Sequence, residues 1–158
     1  MPRSTPMLHR TAELVQTVHD AFGATVAEFN YFPNERVLYV HWHGHLTADL
    51  VVRVAEASLV WHEQLHPLSI LNDKRGTSGD WGEAAIWLEF EWIPVVKGHG
   101  LQALAYVLDP DTPVSLPNAQ VKELLEEALV VRTFYAVAPA WRWLRQRTTR
   151  LLLSTSAA

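Results

Sequence analysis

Short apolar runs closed by proline, glycine or asparagine alternate along this chain with longer stretches whose apolar residues recur every three or four positions. That alternation restricts the fold more than any other feature. Residues 24–32 and 36–42 read as strands, with Val37, Tyr39 and Val40 favouring extended backbone. Only Pro33, Asn34 and Glu35 separate them, which implies an antiparallel hairpin. Residues 47–65 read as a helix: Leu50, Val54, Ala57, Trp61 and Leu65 fall on one stripe, Thr47 is the N-cap and Pro67 the stop. Residues 68–71 read as a buried strand closed by Asn72 and Asp73. A glycine-bearing loop over 76–82 then leads into a helix through Ala84, Ala85, Trp87, Leu88 and Glu91, which Pro94 kinks or ends. Residues 101–108 form a further strand, followed by a loop with Pro110, Pro113 and Pro117. A helix over 118–129, a strand over 130–137 and a helix begun by Pro139 complete the series. The order β β α β α β α β α predicts one α/β domain: a mixed, mostly parallel sheet of about five strands, covered by helices and joined by right-handed crossovers. Residues 1–22 are expected to be an N-terminal arm or short helix, 23–150 the domain, and 151–158 a loose tail.

A chain of 158 residues can bury a sizeable core without covalent staples. It has no cysteine, which excludes disulfide frameworks, thiolate zinc and iron–sulfur sites, and cysteine nucleophiles. All 17 acidic residues precede residue 128, whereas five of the 13 basic residues follow it and no acid does. An acidic body is a poor partner for nucleic acid, because phosphate contacts need cations. Met1 to Asp20 contain no uninterrupted apolar region of a signal peptide. No apolar run reaches the ~18 residues of a membrane span, so the expected location is the cytoplasm.

Histidine carries the sharpest chemical motifs. His62-Glu63-Gln64-Leu65-His66 has the H-E-x-x-H spacing that on a helix places two imidazoles on one face for zinc, with the glutamate as general base. Pro67 follows His66 directly and pushes it away from helical backbone angles, which spoils that geometry. His41, His43 and His45 would share one face if the strand continued, although Gly44 offers a bend. Imidazole suits zinc and copper, so His41, His43, His45, His62 and His66 are the candidate ligands, while no spacing among them fixes a metal site. The loop over 76–82 lacks the order of a dinucleotide fingerprint and the lysine of a P-loop, and Asp80 with Glu83 has capping-box spacing. Trp87 and Phe90 form a helical core pair, while Trp81 and Trp92 line an apolar pocket or a dimer face. Glu89 and Glu91 point in different directions on a helix and make no acid–base pair. Arginines interleaved with Trp141 and Trp143 suit anionic lipid or an acidic partner, but a terminal helix whose arginines favour its own dipole explains them more simply. Nothing points to flavin, nicotinamide or nucleotide chemistry, and no cofactor is expected.

The element order, the stretch from Arg36 to Gly44 leading into a helix, Leu71-Asn72-Asp73 ending a strand, and the closing strand–helix pair ending in Trp143-Leu144 resemble the STAS/SpoIIAA-like family. This is the family of bacterial anti-sigma-factor antagonists and of short stand-alone proteins with that domain, and the resemblance covers roughly residues 24–147. It implies a non-enzymatic regulatory or signalling module that binds a partner protein or a small apolar ligand. In the antagonist branch a serine or threonine two residues after the strand-ending aspartate, and before a glycine, is phosphorylated. Here Arg75 holds that position between Asp73 and Gly76, with Thr77 and Ser78 displaced from it. The resemblance and the aromatic-rich segment together nominate Asp73, Arg75, Thr77, Ser78, Trp81 and Trp92 as the binding surface, with a homodimer as an open arrangement. The alternatives are a zinc-dependent hydrolase using His62, Glu63 and His66, and a peripheral lipid-associated protein.

Overall fold

In the computed structural model, which describes residues 12–110 and 119–157, the chain opens on a strand rather than a helix. Strand β1 (Glu13–His19) pairs antiparallel with β2 (Thr25–Phe32), so part of the expected arm or short helix over 1–22 is instead a strand of the sheet. Val15, Thr17 and Val18 are β-branched, and the free edge of β2 satisfies their backbone better than an uncapped helix would. The domain therefore begins before residue 23; residues 1–11 of the expected arm lie outside the described residues. The expected hairpin forms between β2 and β3 (Val37–Trp42), with Glu28 opposite His41 and Phe29 opposite Val40.

Helix α1 (Ala48–Leu65) starts where Thr47 Oγ1 accepts from the Leu50 N–H, and ends at His66 in the left-handed region. Its buried face is Val51, Val54, Ala55, Ser58 and His62. This is rotated from the expected stripe, because polar Ser58 and His62 occupy core positions. Strand β4 (Ser69–Asp73) follows. The next helical stretch is composite: a 3-10 turn (Gly82–Ala84), the short α2 (Ala85–Trp87), a π-turn (Leu88–Trp92) and α3 (Ile93–Gly98). Pro94 sits in the first turn of α3, and the wider π winding before it gives its ring room. Phe90, expected in the core with Trp87, is 67% exposed. Asp80 caps no helix with Glu83; its carboxylate accepts from the Gly82 N–H in a local turn.

Strand β5 (Ala103–Val107), helix α4 (Ala119–Ala128), strand β6 (Val130–Phe134) and helix α5 (Val137–Ala157) complete the chain. The expected start of α4 at Asn118, and Pro113 and Pro117 before it, lie outside the described residues. No glycine or proline stands in 151–157 to end α5, so the expected loose tail is helical through Ala157.

The sheet has six strands in the order β1-β2-β3-β4-β5-β6, antiparallel through β3 and parallel from β3 to β6. The parallel strands advance one place at a time in a single direction. Right-handed crossovers then place α1, the composite stretch and α4 on the same face. There Phe29, Leu38, Val40, Ile70 and Leu104 pack against Val51, Val54, Leu88, Val96 and Leu125. Helix α5 covers part of the opposite face, where Ala140, Trp141 and Leu144 pack on Val37, Leu71 and Ala105. Three arginines of this region lie over aromatic rings: Arg132 over Phe134 at 5.1 Å, Arg145 over Trp141 at 6.0 Å and Arg147 over Trp143 at 5.5 Å. That gives the Arg–Trp interleaving a role within the fold. Among the described residues, no helix is long and apolar enough to cross a membrane.

Candidate functional site

Strand alternation decides where the residues at the end of β4 point. Ile70 and Asn72 face the three-helix side, and Lys74, next in that series, is carried into the same layer. Asp73 goes to the opposite face, with Tyr39 and Leu71.

Lys74 is 2% exposed. Its Nζ lies 4.1 Å from the ring centre of Trp42, 4.2 Å from that of Trp81 and 5.9 Å from that of Tyr106. Nζ has no hydrogen-bond partner among the described residues. The amine borders a chamber of about 50 Å³ whose walls include Trp42, Trp81, Trp92, Asn72, Ser58 and Tyr106. Hydrogen bonds set the walls: Trp42 Nε1 donates to Asn72 Oδ1 (2.9 Å), Trp92 Nε1 to Ser58 Oγ (3.0 Å), and Ser58 Oγ to the Ala55 carbonyl (2.6 Å). Burial alone lowers the Lys74 pKa from 10.5 to about 7, because the ammonium loses its hydration. The rings oppose that shift, since their faces attract a cation. Burial also pushes the Tyr106 hydroxyl above its ordinary range.

On the other face, Tyr39 Oη donates to Asp73 Oδ2 (2.5 Å), and Arg75 grips both carboxylate oxygens through Nε (2.9 Å) and Nη2 (2.8 Å). Burial pulls the Asp73 pKa up, but the hydrogen bonds from Arg75 and Tyr39 outweigh it and hold the carboxyl below its usual range. The Tyr39 hydroxyl is pushed up, first by burial and then by its bond to Asp73. Arg75 is therefore engaged with Asp73. Thr77 is buried, its hydroxyl donating to the Lys74 carbonyl (2.6 Å), whereas Ser78 is exposed. Trp81 and Trp92 are both buried in the chamber wall; the exposed apolar side chains of the composite stretch are Ile86, Phe90 and Val95.

The fold separates the H-E-x-x-H motif. His62 is wholly buried with both ring nitrogens unpartnered among the described residues, edge-on to Trp92. Glu63 and His66 are exposed, and His66 has left the helix at φ 51°. Although it stands near the helix end, His62 faces the core. Burial, with a smaller contribution from the charge of His99, lowers the His62 pKa from 6.5 to about 3. The unfolded chain therefore takes up a proton below pH 6.5 that the folded chain refuses. Stability present above that pH is lost as pH falls towards 3, at about 1.4 kcal/mol per unit. Urea unfolding is expected to show this site costing about 2 kcal/mol between pH 6.5 and 5, and His62→Leu to remove that part of the acid slope. An unchanged slope in the variant would place the acid sensitivity elsewhere.

The histidines at the end of β3 also divide. His43 remains beside His41, with ring centres 4.3 Å apart. Gly44 turns the chain at φ +82°, and His45 departs to meet Ser78 Oγ at 3.0 Å. Two candidate site residues escape a reading by motif. Lys74 was marked only by its place in the Ile70–Asn72–Lys74 alternation. Glu28, 2.8 Å from His43 Nε2, was marked only by the hairpin register that sets it opposite His41. No protein-family model, curated protein or solved structure matches this chain.

Proposed function

We propose that this chain is a non-enzymatic binding module of the STAS/SpoIIAA-like kind, and that its ligand is a compact carboxylic acid with a short apolar body, seated against Lys74. The observation that carries this reading is the Lys74 amine itself. It is enclosed by aromatic rings, borders a chamber, and has no acceptor among the described residues. A buried cation without a partner is costly, and an anion entering beside it removes that cost. The walls are apolar apart from a few fixed polar groups, which is the ordinary make-up of a small-molecule site. Size narrows the ligand further: about 50 Å³ is roughly a third of the ~150 Å³ that accommodates benzene. The smallest carboxylates, formate and acetate, are in range, whereas butyrate matches benzene in size and is too large.

Titration of formate and acetate at pH 6, with acetamide as the neutral control and butyrate as the oversized one, tests this reading. At about 100 times its Kd, the best acid is expected to stabilise the fold by roughly 2.7 kcal/mol, or a rise in Tm of roughly 5–10 °C. Acetamide, butyrate and the Lys74→Met variant are expected to give no shift. Acid-induced stabilisation that persists in Lys74→Met, or none in the wild type, would refute the reading.

A further inference from the structure

We propose that Glu28, His41 and His43 form a three-ligand site for a zinc-like divalent ion, on the sheet face opposite the Lys74 chamber. The antiparallel register puts Glu28 of β2 directly across from His41 of β3. The ladder continues one residue past β3, because the His43 N–H donates to the Val26 carbonyl at 2.8 Å. Alternation therefore keeps His43 on the face of His41 while Trp42 points into the chamber. All three side chains are half-buried, which limits their rotamers while leaving the site open to solvent.

The distances suit a metal. His43 Nε2 lies 2.8 Å and His41 Nδ1 3.8 Å from the same oxygen of Glu28, and the three donor atoms lie within 4.8 Å of one another. Ligand bonds of about 2.0–2.2 Å in a tetrahedron set donors about 3.3 Å apart. One of these two contacts must open and the other close by about half an ångström, which is side-chain motion only. Two imidazoles and a carboxylate with an open fourth position match a borderline-soft ion, and exclude calcium and magnesium as preferred occupants. The turn at Gly44 removes His45 from the set. His62 is in the core and His66 at the far end of α1, so neither belongs to it.

The protein, purified through a chelator wash, would be titrated with zinc by calorimetry and with cobalt(II) by visible absorption. One ion per chain with micromolar or tighter Kd is expected, and cobalt is expected to show the intense visible bands of a tetrahedral site. His41→Ala, His43→Ala and Glu28→Gln are each expected to weaken zinc by at least ~100-fold, beyond the loss typical of outer partners. His45→Ala and His66→Ala are expected to bind as the wild type does. Circular dichroism reports whether each variant is folded, and His43→Gln serves if His43→Ala is not. Failure to bind zinc, or equal affinity in a folded His41→Ala/His43→Ala double variant, overturns the site. Loss on His45→Ala or His66→Ala, with His41 and His43 indifferent, assigns the ion elsewhere and overturns it equally.

Discussion

Gly79→Ala is expected to destabilise the protein by about 3 kcal/mol or more and to lower Tm by roughly 10 °C. Gly79 has φ +106°, which an L side chain adopts only under strain. A methyl group there would also sit 2.1 Å from the Leu46 carbonyl oxygen and 2.9 Å from the Leu46 nitrogen. The obstacle is backbone, fixed on its own side: the Leu46 N–H donates to the Ser78 carbonyl at 2.8 Å, and the Ser78 N–H to the Gly44 carbonyl at 3.1 Å. The segments after β3 and β4 are thus laced together where Gly79 crosses. Strain of about 1–3 kcal/mol adds to a comparable cost for displacing packed atoms. Gly76→Ala separates the two contributions, since Gly76 has φ +79° but open space around its Cα. It is expected to cost about 1 kcal/mol, the strain alone. Equal losses in thermal unfolding would show that the Leu46 contact yields easily. Because Trp81 follows the crossing by two residues, Gly79→Ala is also expected to loosen the Trp81 wall of the Lys74 chamber.

The parts of this fold that were legible in the sequence are those set by local chemistry. The β2–β3 hairpin followed from a short turn between two branched-residue runs, and α1 from a threonine cap and a proline stop. Elements decided by tertiary pairing were not legible. Strand β1 exists because β2 offers it an edge, and the composite helix winds as a π-turn because Pro94 demands room. Apolar periodicity alone misplaces the inner face of α1, because Ser58 and His62 are among the residues that face inward. The two candidate sites illustrate the same division. A lysine at the end of a strand is ordinarily solvated, so its neighbours on one face, Ile70 and Asn72, carried the only hint that Lys74 turns inward. The Glu28–His43 contact joins residues whose relation depends on register, and a motif within one strand cannot contain it.

The cost of Lys74 makes the last prediction. Its folded pKa is lowered to about 7 against an ordinary 10.5, with burial as the cause. Between those values the unfolded chain holds a proton that the folded chain has released. Stability therefore rises with pH across that window, and below pH 7 both states are protonated and the whole penalty is present. The sign is opposite to the usual gain from a partnered lysine. At about 1.4 kcal/mol per unit, less the part returned by the rings of Trp42 and Trp81, the rise from pH 7 to 9.5 is expected to be about 2–3 kcal/mol. Tyr106 is the other titratable side chain of the chamber wall among the described residues, and its raised pKa keeps it neutral throughout that range. Lys74→Met keeps the volume and removes the charge. It is expected to be more stable than the wild type at pH 7 by a similar 2–3 kcal/mol, and nearly flat from pH 7 to 9.5. Urea unfolding across that range checks both statements. A variant less stable than the wild type at pH 7 would mean that the ammonium is satisfied in the fold, and the case for an anionic ligand would fall with it. The expected outcome instead describes a residue that costs the fold stability, which a packing role does not explain and the proposed binding role would.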